Sequence, residues 1–76
     1  MNKARRDKLD KAINLLGQAR DLVTEVQEEE NEAFDNLSEN LQAAERGQRM
    51  QEVAEGLADK MGEIETIEGE LEEFKE

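Results

Sequence analysis

Arg20, Arg46, Arg49 and Lys60 are the side chains of this sequence whose placement points most directly to chemistry, and that chemistry is the binding of an anion. Lys60 interrupts an otherwise apolar repeat. In a hairpin that pairs Leu9 with Leu71, Ile13 with Ile67, Leu16 with Ile64 and Val23 with Leu57, it falls opposite Arg20. Two cations cannot share a buried layer unpaired. Either both reach out to carboxylates such as Asp21, Glu25 or Glu63 and fix the register, or several copies gather them around an anionic ligand such as a nucleotide. Arg46 and Arg49 lie three apart near the expected start of a helix, where free amides also attract anions. Pairing with Glu45, Glu52 or the run Glu28-Glu29-Glu30 is their simpler fate.

Catalysis has little to work with. Cys and His are both absent, which removes disulfides, thiol and imidazole chemistry and the usual zinc, copper and haem ligands. With 21 acids in a helical chain, any carboxylate spacing arises by chance, and a solvated face accounts for it. The Asp- and Asn-rich stretch near residue 36 lacks the alternating ligands and central Gly of a calcium loop. The five glycines are scattered through helical positions and form no phosphate-binding loop. A non-enzyme without metal or cofactor is therefore expected.

The elements that position these residues are helices. Pro is absent, Phe34 and Phe74 are the only aromatic residues, and 41% of the chain is charged, a composition of long amphipathic helices rather than strands. The organising stretch runs from Met50 to Phe74. Its a and d sites, Met50, Val53, Leu57, Lys60, Ile64, Ile67, Leu71 and Phe74, are apolar except for Lys60, the pattern of a helix that packs a seam against other helices. A first helix over about 3–31 carries Leu9, Ala12, Ile13, Leu16, Ala19, Val23 and Val26 at helical spacing, and Leu15 and Leu22 widen its apolar face beyond one seam. It should fade after Glu28-Glu29-Glu30, whose charges oppose the dipole at that end. A connector over about 32–46 follows, with Asp35, Asn36 and Ser38 as candidate N-caps, a short helical turn beginning near Ser38, and a break near Arg46-Gly47. A second long helix over about 47–75 completes one 76-residue domain.

Two helices of similar reach joined by a short connector predict an all-α antiparallel hairpin. Folding back also sets the basic start, Lys3 to Lys11, beside the acidic end, Glu63 to Glu76. One seam leaves the wide face of the first helix wet, and a chain this short has no staple, so self-association into a helical bundle is expected.

Charge bounds the partners. Residues 21–45 carry nine acids and no base, within a net charge of −11. Such a surface repels nucleic acid and anionic membrane and favours basic proteins. No run of about 18 apolar residues exists, and no apolar signal core follows the basic start, so a soluble intracellular protein is expected. The partner-binding candidates are Glu25, Glu28, Glu29, Glu30, Glu32, Asp35 and Glu39, with Phe34 and Leu37 as exposed apolar contacts.

The run EAFDNLSENLQAAERGQRM, Glu32 to Met50, resembles a segment of small acidic helical proteins encoded by bacteriophages and prophages. The likeness covers roughly a quarter of the chain and implies a phage context in a bacterial cytoplasm. It carries over no catalytic or binding residue. Three roles fit these readings: an acidic inhibitor of a basic host protein in the manner of a DNA mimic, an oligomeric sponge for an anionic signalling nucleotide, and a coiled-coil scaffold or adaptor.

Overall fold

A computed structural model describes residues 1–75 and shows an all-α antiparallel hairpin, with helices α1 (Lys3–Asp35), α2 (Glu39–Ala43) and α3 (Glu45–Glu73). The particle is a rod whose Cα extents are 59 × 14 × 11 Å. Asn2 caps α1, its side chain accepting from the Arg5 amide at 2.9 Å. Of the three N-cap candidates in the connector, Ser38 is the one used, its hydroxyl accepting from the Leu41 amide at 3.4 Å at the start of α2.

The first helix runs four residues past its expected end. Glu28, Glu29 and Glu30 radiate to different sides of the helix, and neighbours in sequence do not face each other on a helical surface. The repulsion expected there is therefore small, and α1 continues through the half-buried Phe34 to Asn36, which ends it as a C-cap by donating its amide to the Glu32 and Phe34 carbonyls. Helix α3 starts at Glu45, and the chain breaks at Ala44 rather than at Arg46-Gly47.

Gly47 has a different role from the expected break. It is buried one turn inside α3, beneath the backbone of α2. A Cβ there would lie 2.5 Å from the Leu41 carbonyl oxygen and nearer still to that of Gln42. Only a residue without a side chain admits this approach.

The connector thus doubles back on the first turns of α3, which changes the register. Asp10 meets Lys75, Gly17 meets Glu68, Arg20 meets Glu65 and Thr24 meets Met61. Arg20 was expected to meet Lys60, so α3 is displaced by five residues from the simple hairpin. The chain taken up by α2 brings α1 against α3 only beyond its first turns.

The seam itself is rotated as well. On α1 it is Leu9, Ile13, Leu16, Arg20, Val23, Gln27, Glu30 and Phe34, all half-buried. On α3 the expected Met50, Val53, Leu57, Ile64 and Leu71 are half-buried, but Ala54, Met61, Glu68 and Lys75 take the alternate sites and Lys60, Ile67 and Phe74 are exposed. Among the described residues Ala54, at 4% exposure, is the only buried hydrophobic one, and no large side chain is fully enclosed.

Most of the large apolar residues lie on this seam, but a second set lies outside it. Leu15, Leu22, Val26, Ile67 and Phe74 are 47–65% exposed. With Ala12 and Ala19 they form outer stripes that trail the seam by one residue on both long helices. One step back turns a side chain by about 100°, in opposite senses on two antiparallel helices viewed from one end, so both stripes swing to the same side of the hairpin. On α1 that side is apolar from Ala12 to Val26, whereas on α3 Val53, Ile67 and Phe74 alternate with Lys60, Glu63 and Glu70. The other carries Asp21, Glu28, Asn31, Glu55, Glu65 and Glu72.

Candidate functional site

The cation layer expected at the middle of the hairpin does not form. Arg20 is 30% exposed and grips two carboxylates of α3, with Nη1 3.0 Å from Glu65 Oε1 and Nε 3.5 Å from Glu68 Oε1. Glu68 Oε1 is shielded from solvent and has no hydrogen bond among the described residues, so the guanidinium supplies its compensating charge. Lys60 lies on the outer side, 68% exposed, and pairs along its own helix with Glu63 at 3.1 Å. The five-residue displacement and the rotated seam separate the two cations. Arg49 pairs with Glu52 at 3.3 Å, and Arg46 is exposed without an ion pair among the described residues. Within one chain these four cations do not converge on a point.

The basic start is not neutralised across the hairpin in the expected way. Lys3 pairs with Asp7 on its own helix, and Arg5, Lys8 and Lys11 have no ion pair among the described residues. The charges that do cross this end are reversed: Lys75 of α3 reaches Asp10 of α1 and also sits 2.6 Å from Glu72. The hydrogen bond to Asp10, then that to Glu72, raises the Lys75 pKa above the ordinary 10.5. Glu76, counted in the acidic end, lies outside the described residues.

The acidic tip lies along the last turns of α1 and the start of α2. Glu25, Glu28, Glu29, Glu32, Asp35 and Glu39 are exposed, and Glu30 is half-buried on the seam. None of the nine acids from Asp21 to Glu45 has an ion pair among the described residues. Phe34 and Leu37, expected as exposed contacts, are half-buried because the connector folds over them. The Leu37 amide donates to the Phe34 carbonyl at 3.0 Å and Gln42 Nε2 to the same oxygen at 3.1 Å. Leu41 is the apolar side chain the tip exposes instead.

Next to the tip, on the polar side, α1 and α3 frame an open groove of about 240 Å³ lined by Gln27, Asn31, Gln51, Ala54, Glu55 and Ala58. The groove exists because Ala54 and Ala58 are small where the helices meet. It is below the ~300 Å³ at which pockets begin to enclose drug-sized ligands, and it suits one polar side chain of a partner. Sequence reasoning missed it because the old register set other residues opposite Ala54.

Among the described residues no helix is long and apolar enough to cross a membrane, and no group of three or more carboxylates could hold a metal ion. No family model, curated protein or solved structure matches the chain.

Proposed function

We propose that this chain is a non-catalytic binding protein of phage type, a homo-oligomer that works in the cytoplasm of a bacterial host and inhibits a basic host protein in the manner of a DNA mimic. The observation that carries the reading is the block of nine acids from Asp21 to Glu45 with no base among them and no ion pair among the described residues to offset them. Carboxylates left unpaired along a rigid helix present a regular row of negative charge, which a groove built for phosphates recognises. The neighbouring groove adds carboxamides from Gln27, Asn31 and Gln51 and the Glu55 carboxylate, acceptors for a lysine or arginine that enters between the helices. Self-association belongs to this reading because the single hairpin encloses no large side chain.

Affinity capture from bacterial lysate with the tagged protein, at low and at moderate salt, tests it. One nucleic-acid-binding protein should be retained at low salt, released at moderate salt, and displaced by duplex DNA. Changing Glu28, Glu32 and Asp35 together to Gln, Gln and Asn should lower its capture at least tenfold. Capture that resists both salt and DNA, or no capture at all, overturns the reading.

A further inference from the structure

We propose that the outer apolar face of the hairpin is covered by a second copy of the chain running antiparallel to the first, the two related by a two-fold axis near Ala19. The inference rests on the homo-oligomer reading and adds the face, the orientation and the axis. Its first support is the sequence of the outer stripe on α1. Ala12, Leu15, Ala19, Leu22 and Val26 alternate small and large residues at spacings of three and four, the pattern of a coiled-coil seam rather than of a solvated flank.

The second support is charge. The same stripe continues into Lys8 towards the start of α1 and into Glu29 towards its end. Neither has an ion pair among the described residues, nor do the neighbouring Arg5, Lys11, Glu25 and Glu32. A second copy laid antiparallel about Ala19 brings each basic start onto the other's acidic tip, and one stroke offsets both sets. A parallel copy would instead press two tips together, each part of a 25-residue window with nine acids and no base.

Area is the third. From Lys8 to Glu29 the stripe spans about 32 Å, and the charged ends bring it to about 40 Å; across two helices about 20 Å wide this gives roughly 800 Å², the share each partner contributes to a standard stable interface. Ile67 and Phe74 of α3 lie on the same side, interspersed with Lys60, Glu63 and Glu70, so the apolar part of the face is carried by α1.

The test is a single spin label on Asn40→Cys, an exposed position in α2 of a chain without other cysteines, read by pulsed electron–electron distance measurement. An antiparallel pair centred near Ala19 puts the labels about 50 Å apart, from about 16 helical residues on each side of the axis, whereas a parallel pair holds them within about 25 Å. A short distance overturns the orientation and leaves self-association intact. No dipolar signal with a monomer mass in solution overturns both. The charge argument has its own variant: Lys8→Glu should weaken the dimer roughly tenfold, and adding Glu29→Lys in the same chain should restore it. A double variant as weak as the single would show that Lys8 does not face Glu29 and would overturn the assigned contact.

Discussion

The inner seam and the outer face of α1 share a heptad spacing but not a filling. The seam, which meets α3, holds Arg20, Gln27 and Glu30 among its apolar residues, whereas the outer face offers Leu15, Leu22 and Val26 to solvent. In a finished globular unit the order would be reversed, because apolar burial is the main source of stability and paired charges contribute little. The hairpin thus leaves uncovered the face proposed above for a second copy. Its inner contacts set register through specific pairs, Arg20 with Glu65 and Glu68 and Lys75 with Asp10, while the outer face of α1 stays uncovered in the single chain.

The largest effect that separates the two sides is expected from Leu22→Glu. Covering a leucine contributes about 1.5–3 kcal/mol relative to leaving it exposed. If the outer face is packed in solution, the variant should become monomeric and melt roughly 10 °C lower, at about 4–8 °C per kcal/mol for a chain of this size. In an isolated hairpin the same residue is already 62% exposed, and the substitution should leave melting almost unchanged. Thermal melts of wild type at several concentrations complete the test, since an oligomer's midpoint rises with concentration. A flat midpoint and an indifferent variant would remove the contrast between the two sides.

Gly47→Ala acts on what sets the inner register. Its Cβ would meet the backbone carbonyls of Leu41 and Gln42, which cannot swing aside as a side-chain end can, and relief by shifting α2 should cost about 1–3 kcal/mol. Amide exchange should show the loss confined to α2 and the first turns of α3, with the seam from Ala54 to Leu71 still protected. Gly56→Ala is the counterpart, having open space around its Cβ, and should stabilise by about 1 kcal/mol. Protection lost evenly along the rod would mean that the connector dictates the seam.

Much of this fold was legible in the residues. Heptad spacing on either side of a polar connector is enough for an antiparallel pair, and Ser38 marks the turn between them through its hydroxyl. Register was not legible, because it depends on chain consumed in the connector. Gly47 looked like a helix breaker, and its value is a close approach that sequence alone does not reveal. The choice between Lys60, Ile67, Phe74 and Met61, Glu68, Lys75 was likewise hidden, since the heptad from Met50 favours the first set and the hairpin half-buries the second. The width of apolar surface on α1, read from the sequence as too great for one neighbour, reappears as the exposed Leu15, Leu22 and Val26. Of the candidate residues, the exposed acids of the tip could be placed from the charge pattern alone, whereas the Arg20 and Lys60 layer depended on register and does not form.

Making the seam apolar sharpens the comparison further. Arg20→Leu alone leaves the shielded Glu68 oxygen without its cation and should cost about 1 kcal/mol, below the values for fully buried pairs because Arg20 keeps some water contact. Arg20→Leu with Glu68→Leu should recover that loss, since a packed apolar pair replaces a partly desolvated ionic one. The recovery in stability should come with weaker register specificity, read as a second set of cross-peaks or a broadened melt. A double variant less stable than the single would mean that the ion pair contributes net stability to the seam.

The smallest expected effect is at the end of the seam, where Lys75 lies between Asp10 and Glu72. Asp10→Asn removes the larger cause of the raised lysine pKa, so the value measured by NMR titration should fall back towards 10.5 without reaching it while Glu72 remains. The sign of the stability effect follows from the folded value lying above the unfolded one. The contribution is fully present at neutral pH and up to the ordinary lysine value, and it is lost as pH rises through the raised one. Wild type and Asp10→Asn should therefore differ slightly in melting temperature near pH 7 and converge in strongly alkaline solution. A difference that stays constant through that range would place the effect of Asp10 in packing or helix propensity, and the inner seam would then lose one of the two ionic contacts that distinguish it from the outer face.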